Sequence, residues 1–251
     1  MSDNQDGWVV SVEMALLKVV PAPTLREKIA DSIREAITEG NLLPGQRLVE
    51  RELCEMTGAS RSSIREALTQ LLSEELVVSV PNRGFVVAVL SLPEAQSLYE
   101  VRAELESLAA RQFAERASDE DVRRLSAVVT DLTALYDEAD ADPFIRARDQ
   151  FMEVLLAGTR NRVLEAMIDQ IYTRLRRLRC ASASSIARRR ELIAEFQQLY
   201  RALEGRDGEQ AARLSADRVR RSFEVAIPQI EMQTVSDELE AAKAAHMVGV
   251  R

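Results

Sequence analysis

The sequence predicts a mainly α-helical chain in two parts, an N-terminal winged helix-turn-helix and a C-terminal antiparallel bundle of about six helices. Three observations carry this expectation. Apolar residues recur three and four apart through most of the chain, as helices with one buried face require. Two β-branched runs around a Pro-Asn-Arg-Gly cluster break that pattern between Leu76 and Val89. Aromatic residues are only 4% of the chain, too few to favour an all-β sandwich, and nine Gly with seven Pro leave room for long helices.

Residues 1–21 combine an acidic start with the apolar stretch Met14 to Val20 and read as an N-terminal arm ending at Pro21. Residues 22–90 form the first domain. Thr24 with Glu27 makes a capping box for a helix whose face is Leu25, Ile29, Ile33 and Ile37, and Gly40 stops it. After the LLPGQ turn, a short helix from about Glu50 to Thr57 is expected to bury Leu53 and Met56 and to end at Gly58. Ser60 caps the next helix, with Ile64, Leu68, Leu71 and Leu72 inward and Arg61 and Arg65 on another face. Residues 76–80 and 85–89 then pair as a hairpin wing.

Ser91-Leu92-Pro93 reads as the linker, Pro93 being suited to a helix's first turn. The bundle is expected over 94–228. Leu98, Val101, Leu105, Leu108 and Phe113 mark its first stripe, and Ser118 opens a second helix carrying Val122, Leu125, Val129 and Leu132. Further helices are predicted from about Phe144 to Ala157, Asn161 to Cys180, Ser185 to Leu203 and Asp207 to Ile227. Residues 229–251 read as a helix stub or loose tail.

Composition excludes several chemistries. With 33 Lys and Arg against 41 Asp and Glu the net charge is −8, so the chain as a whole is no polycation. Cys54 and Cys180 form no thiolate ligand pair, and the acidic N-terminus and lack of a long apolar run argue against export or a membrane span. A cytoplasmic protein is expected. One histidine, His246, cannot supply a Ser-His-Asp or Cys-His centre or a multi-histidine metal site. No GxGxxG or GxxxxGK[ST] loop is present, so no cofactor is expected, and an enzyme built on the bundle is the disfavoured alternative.

A helix-turn-helix with a wing suits a DNA major groove. Ser60, Ser62 and Ser63 place hydroxyls and free N–H groups in the first turn of the second helix, where phosphate oxygens bind. Arg61 and Arg65 rise from the same turn, Arg51 lies one helix earlier, and Arg83 with Gly84 stands at the wing turn. The plainer reading makes Arg61 and Arg65 solvated surface residues with Glu66 nearby. Between 24 and 88 eight basic residues face ten acids, yet the run from Ser60 to Arg65 holds no acid, so a local basic stripe survives.

The run LREKIADSIREAITEGNLLPGQRLVERELCEMTGASRSSIREALTQLLSEELV resembles the winged-helix domain of GntR-family bacterial transcription regulators. Its LxPGxxLxExxL and GxSRxxxREAL order implies that Arg51, Ser60, Arg61, Ser62, Ser63, Arg65 and Gly84 stand at DNA-contacting positions. The segment YEVRAELESLAARQFAERASDEDVRRL looks like the start of the FadR-type FCD effector domain, so the resemblance covers roughly 24–227. It implies a homodimer on a double-stranded operator, more often a repressor, and a small-molecule effector, commonly an organic acid or acyl compound. Many such domains hold a metal with one Asp and three His. Here Arg148, Met152, Phe196 and Asp217 align with those positions, and a slip to Asp149 would still leave three imidazoles missing, so no metal is expected.

Arg148 and Arg102 would then hold a ligand carboxylate, with Met152 and Phe196 as apolar wall. The alternative pairs the two arginines with Glu106 or Glu153 and makes Met152 and Phe196 plain core; a regulator whose pocket has degenerated, acting as a constitutive DNA-binding module, is the corresponding functional alternative. Arg174, Arg176, Arg177, Arg179 and Arg188 to Arg190 form a basic cluster that reads first as solvated helix face and second as a contact for nucleic acid or an acidic partner.

Overall fold

The computed structural model describes residues 24–183 and 185–248, so the arm over 1–21 lies outside the described residues. The first domain runs α1 (Leu25–Glu39), β1 (Arg47–Leu48), α2 (Glu50–Thr57), α3 (Arg61–Ser73), β2 (Val77–Val80) and β3 (Gly84–Val87). Thr24 and Glu27 close the capping box, and Gly40 ends α1 at a left-handed φ of 81°. Ile29, Ile33, Ile37, Leu53, Ile64, Leu68 and Leu71 close one core with Val77 and Val87. Arg34 forks onto Glu74 at 2.9 and 2.8 Å, tying α1 to the end of α3.

Three expectations for this domain need correction. Met56 is 80% exposed: α2 turns Leu53 into the core and packs Cys54 partly against it, which leaves Met56 on the solvent side. Leu72 is 38% exposed and faces a cleft beside the second domain, one position round the helix from buried Leu71. The sheet has three strands, not two: Arg47 and Leu48 pair with Val86 and Phe85, giving the order β1-β3-β2. A two-residue strand has no alternation to read.

The second domain contains α4 (Leu92–Arg116), α5 (Asp119–Ala134), α6 (Asp142–Thr159), α7 (Arg162–Ser182), α8 (Ile186–Glu204) and α9 (Gly208–Val248). Helix α4 starts two residues before the expected boundary, with Pro93 in its first turn. Val101, assigned to the buried stripe, is 53% exposed; the inward positions of that turn are Tyr99, Arg102, Ala103 and Glu106. Alanines line the α4–α9 contact on both sides, including Ala109, Ala110, Ala211 and Ala212, so the backbones approach closely enough for the Ser107 hydroxyl to donate to the Ala212 carbonyl at 2.8 Å.

Helix α9 also passes through Pro228, where the sequence suggested that the bundle ends. An interior proline removes one helical N–H and costs about 3 kcal/mol. Ala226 and Ile230, 1% and 0% exposed, pack against α4 and α7 on either side of it and hold the helix together. Of the two readings of residues 229–251, a helix stub or a loose tail, the described residues as far as Val248 follow the first, as a continuation of α9.

Gly158 in α6 is fixed by packing: a Cβ there would run into the fully buried Phe113 ring. Gly158→Ala should lower stability in urea unfolding by about 1–3 kcal/mol, the usual cost of overpacking a filled core.

Candidate functional site

The exposed face of the first domain is organised at the start of α3. Ser60 caps the helix by accepting from the Ser63 N–H at 3.3 Å, and its hydroxyl lies 2.9 Å from those of Ser62 and Ser63. No acid stands in that first turn, so its N–H groups and hydroxyls present a positive pole. Glu50, at the start of α2 with a side chain only 15% exposed, holds Arg61 Nε at 2.9 Å and Arg65 Nε at 3.3 Å. Both guanidiniums remain largely in solvent, at 78% and 70%. The clamp uses the Nε edge and leaves terminal nitrogens for an anion. Sequence reasoning offered Glu66 as the partner and missed Glu50, which is separated from Arg61 by the turn.

Arg51 is exposed and pairs with Glu55 at 3.3 Å. Arg83 and Gly84 stand at the hairpin turn, where Asn82 and Gly84 both adopt positive φ and Arg83 N–H donates to the Val80 carbonyl at 3.1 Å. Thus the structure brings Ser60 to Arg65 into one contact group and sets Arg51 and Arg83 apart from it on α2 and the wing.

Inside the bundle a second group forms around Glu106, a residue considered from sequence only as a partner for Arg102. Its carboxylate accepts from Arg102 Nε at 2.6 Å, from the Tyr172 hydroxyl at 2.6 Å and from Arg218 Nη2. Burial alone would push this carboxyl up; the Arg102 and Arg218 charges, with the Tyr172 hydrogen bond, outweigh it and hold the pKa at about 2. Burial and the Glu106 charge push the Tyr172 phenol up to about 12, so it stays a donor. Burial opposes the charge on Arg102, but Glu106 more than offsets it and raises the pKa.

Phe196 lies beneath Arg218 with the guanidinium 4.8 Å from its ring centre, and Met152 Sδ is 3.9 Å from Arg218 Nη2. Arg102, Met152 and Phe196 therefore do converge. Arg148 belongs to the next layer: its Nη1 donates to the Arg179 carbonyl at 2.9 Å and its Nη2 meets Asp149 at 3.1 Å, not Glu153. Arg179 also binds Asp149, at 2.8 Å, and stacks 3.7 Å over Tyr172. The inward position on α9 is Arg218, 3% exposed, whereas Asp217 is exposed and pairs with Arg220 at 2.8 Å. Its register with buried Ser215, Val219 and Ser222 was the available signal.

These residues do not fit a metal. Two guanidiniums, a thioether and a phenyl ring occupy the positions, and among the described residues no group of three or more His, Cys, Asp or Glu comes together. The basic cluster on α7 and α8 is divided: Arg176 and Arg190 are exposed, whereas Arg188 is buried and pairs with Glu191 and Glu195, and Arg189, fully buried, donates to the carbonyls of Ala183 and Ala139 at 2.9 and 3.2 Å. The side chain of Arg177 lies outside the described residues.

Because Glu106 titrates lower in the folded chain than its ordinary 4.5, its contribution to stability is present above that value and is lost as pH falls towards 2. Glu106→Gln should be less stable at pH 7 and should lack this component, on the order of 3 kcal/mol, of the loss between about pH 5 and 2 in urea titrations.

A family model described as "Bacterial regulatory proteins, gntR family" matches residues 25–87, and one described as "FCD domain" matches residues 97–221. The chain is 24% identical over 182 residues to the "Uncharacterized HTH-type transcriptional regulator YdhC" of Bacillus subtilis, covering 72% of this chain and 81% of that protein. It is 32% identical over 136 residues to the "Nta operon transcriptional regulator" of Aminobacter aminovorans, covering 53% and 63%. The solved structure of E. coli McbR/YncC superposes with a TM-score of 0.70 at 24% identity, over 82% of this chain and 98% of that one. These relatives are regulators, not enzymes. A helix-turn-helix with a wing, followed by a six-helix domain that matches the FCD model, places the chain in the GntR family of bacterial transcription regulators.

Proposed function

We infer that the chain is a cytoplasmic, homodimeric repressor whose operator affinity is set by a small organic acid or acyl effector. Each head would read one half-site of a near-palindromic operator, since one small head reaches few phosphates and two-fold pairing doubles the contacts. Arg51, Ser60, Arg61, Ser62, Ser63, Arg65, Arg83 and Gly84 are the proposed DNA contacts. Arg102, Met152 and Phe196 would line the effector site, with Arg148 behind them. The observation that supports the reading best is the Glu50 clamp, which orients two exposed guanidiniums beside a helix N-terminus without neutralising their outer donors. Effector control requires different ligand affinity for two arrangements of the heads.

A second reading, a constitutive DNA-binding module, draws support from the pairing of Arg102 and Arg218 with Glu106, which already gives both cations a partner. A thermal-shift screen of carboxylates separates the two: stabilisation supports an effector site, and silence across a broad set supports the constitutive module.

Fluorescence anisotropy on the DNA upstream of the protein's own gene tests the head. The protein should bind there more tightly than to random DNA, and Arg61→Ala with Arg65→Ala should remove that preference. The slope of log K against log salt should become shallower by roughly one unit per lost phosphate contact. Equal binding by the double variant would overturn the assignment of α3. Glu50→Gln should weaken binding less than the double variant, because it frees the guanidiniums without deleting them.

A further inference from the structure

Helix α9 carries an apolar stripe that the fold leaves uncovered. Ala226 and Ile230 turn inward, whereas Val225, Pro228 and Met232 lie on the outer face, Val225 42% and Met232 66% exposed. Their spacing, three residues and then four, continues along the sequence of the same helix at Val235, Leu239 and Ala242. Three heptads of alternating three- and four-residue steps are the pattern by which one helix pairs with another in a two-stranded coil. The whole stripe lies beyond residues 97–221, which the FCD model matches.

The packing of α9 fixes where this stretch leaves the bundle. The helix runs antiparallel to α4, Ala212 meeting Ser107 and Phe223 meeting Tyr99. Ile230 belongs to the cluster that takes in Leu90 and Leu92, where the head joins α4. Residues from Glu231 to Val248 therefore emerge at the head end and span about 27 Å.

The flanks of the stripe select the orientation of a partner helix. Glu224, Glu231 and Glu238 recur seven apart on one flank, and Gln229, Ser236 and Lys243 recur seven apart on the other. In a parallel pair each position of the first flank neighbours the position five residues on in the other chain, so every glutamate meets a neutral or basic residue and Glu238 meets Lys243. In an antiparallel pair the glutamates would face one another.

We propose that residues 225–245 of α9 pair in parallel with the same residues of a second copy of the chain. This rests on the homodimeric reading and adds to it an interface outside the bundle proper. Two heads on one operator are related by a two-fold axis running from the bundles towards the DNA, and helices that emerge along that axis run in the same direction. Three heptads are short, so the pairing acts between chains already held close by their bundles, where a weak contact gains from high effective concentration. Standing at the head end, the pair also limits how far the two heads can part.

Sedimentation equilibrium of the full chain reads the dimer dissociation constant. Leu239→Asp, which sets two like charges at one central register position, should raise it by at least about tenfold, and Ala244→Asp, away from the stripe, should leave it unchanged. Glu238→Lys should weaken the dimer, and Glu238→Lys with Lys243→Glu in the same chain should restore it. Parallel pairing brings position 239 opposite itself, so Leu239→Cys should cross-link two copies under mild oxidation and Ala244→Cys should not. Circular dichroism and urea unfolding on the same preparations establish that each variant keeps its fold. A Leu239→Asp dimer as tight as the original, equal cross-linking at 239 and 244, or no rescue by the charge exchange would each overturn the inference and leave the homodimeric reading standing. A chain that is monomeric at every concentration would overturn both.

Discussion

A carboxylate removed from water has to be surrounded by donors, and Glu106 imposes that condition on the whole helical domain. Its donors come from three helices: Arg102 on its own α4, Tyr172 on α7 and Arg218 on α9. Buried ion pairs contribute little net stability over apolar packing, yet breaking one is costly. Their effect here is on register. Alanines alone specify the α4–α9 register weakly, whereas a slide of one helix along the other would separate Glu106 from Arg218 and leave both charges stranded. The position of Tyr172 applies the same condition to α7, and Phe196 and Phe151, 4.6 Å apart, extend the packing towards α8 and α6.

The DNA-facing head uses the opposite economy of burial. Glu50 is nearly covered while its two arginines are not, so the anchor is fixed and the groups it anchors stay available. Exposed ion pairs of this kind contribute little to stability. Their value is in restricting two long side chains before a partner arrives, which reduces the entropy lost on binding. The Ser60 cap and the acid-free first turn of α3 act on the same spot through the backbone.

Much of this was legible in the chain. Helical spacing located α1 to α8 to within about two residues, and most sharply where a side-chain cap marks the start, at Thr24, Ser60, Ser118 and Ser185. Where the reading failed, a longer-range force decided. Ile230, far along α9, is buried by α4 and α7, and that burial overrides the stop that Pro228 suggested. β1 exists only because β3 arrives to pair with it. At the interior site, Arg102 and Glu106 are four apart on one helix and visible as a pair, whereas Tyr172 and Arg218 reach the same carboxylate from 66 and 112 residues away. No local pattern encodes such a meeting. Arg218 could have been inferred from the inward stripe of α9, one position from where alignment with the family placed it.

Helix α7 also joins the two domains. Arg174 on α7 binds Glu75, which follows α3 in a left-handed conformation with φ 57°, at 2.7 Å, and it binds Glu94 in the first turn of α4. Tyr172, two residues earlier, serves the interior carboxylate. At 100° per residue the two side chains leave the helix about 200° apart. One two-residue stretch of α7 thus faces both ways, its phenol fastened to the bundle's interior carboxylate and its guanidinium to the head, so the seat of the head on the bundle and the order of the bundle's interior rest on the same turn of helix.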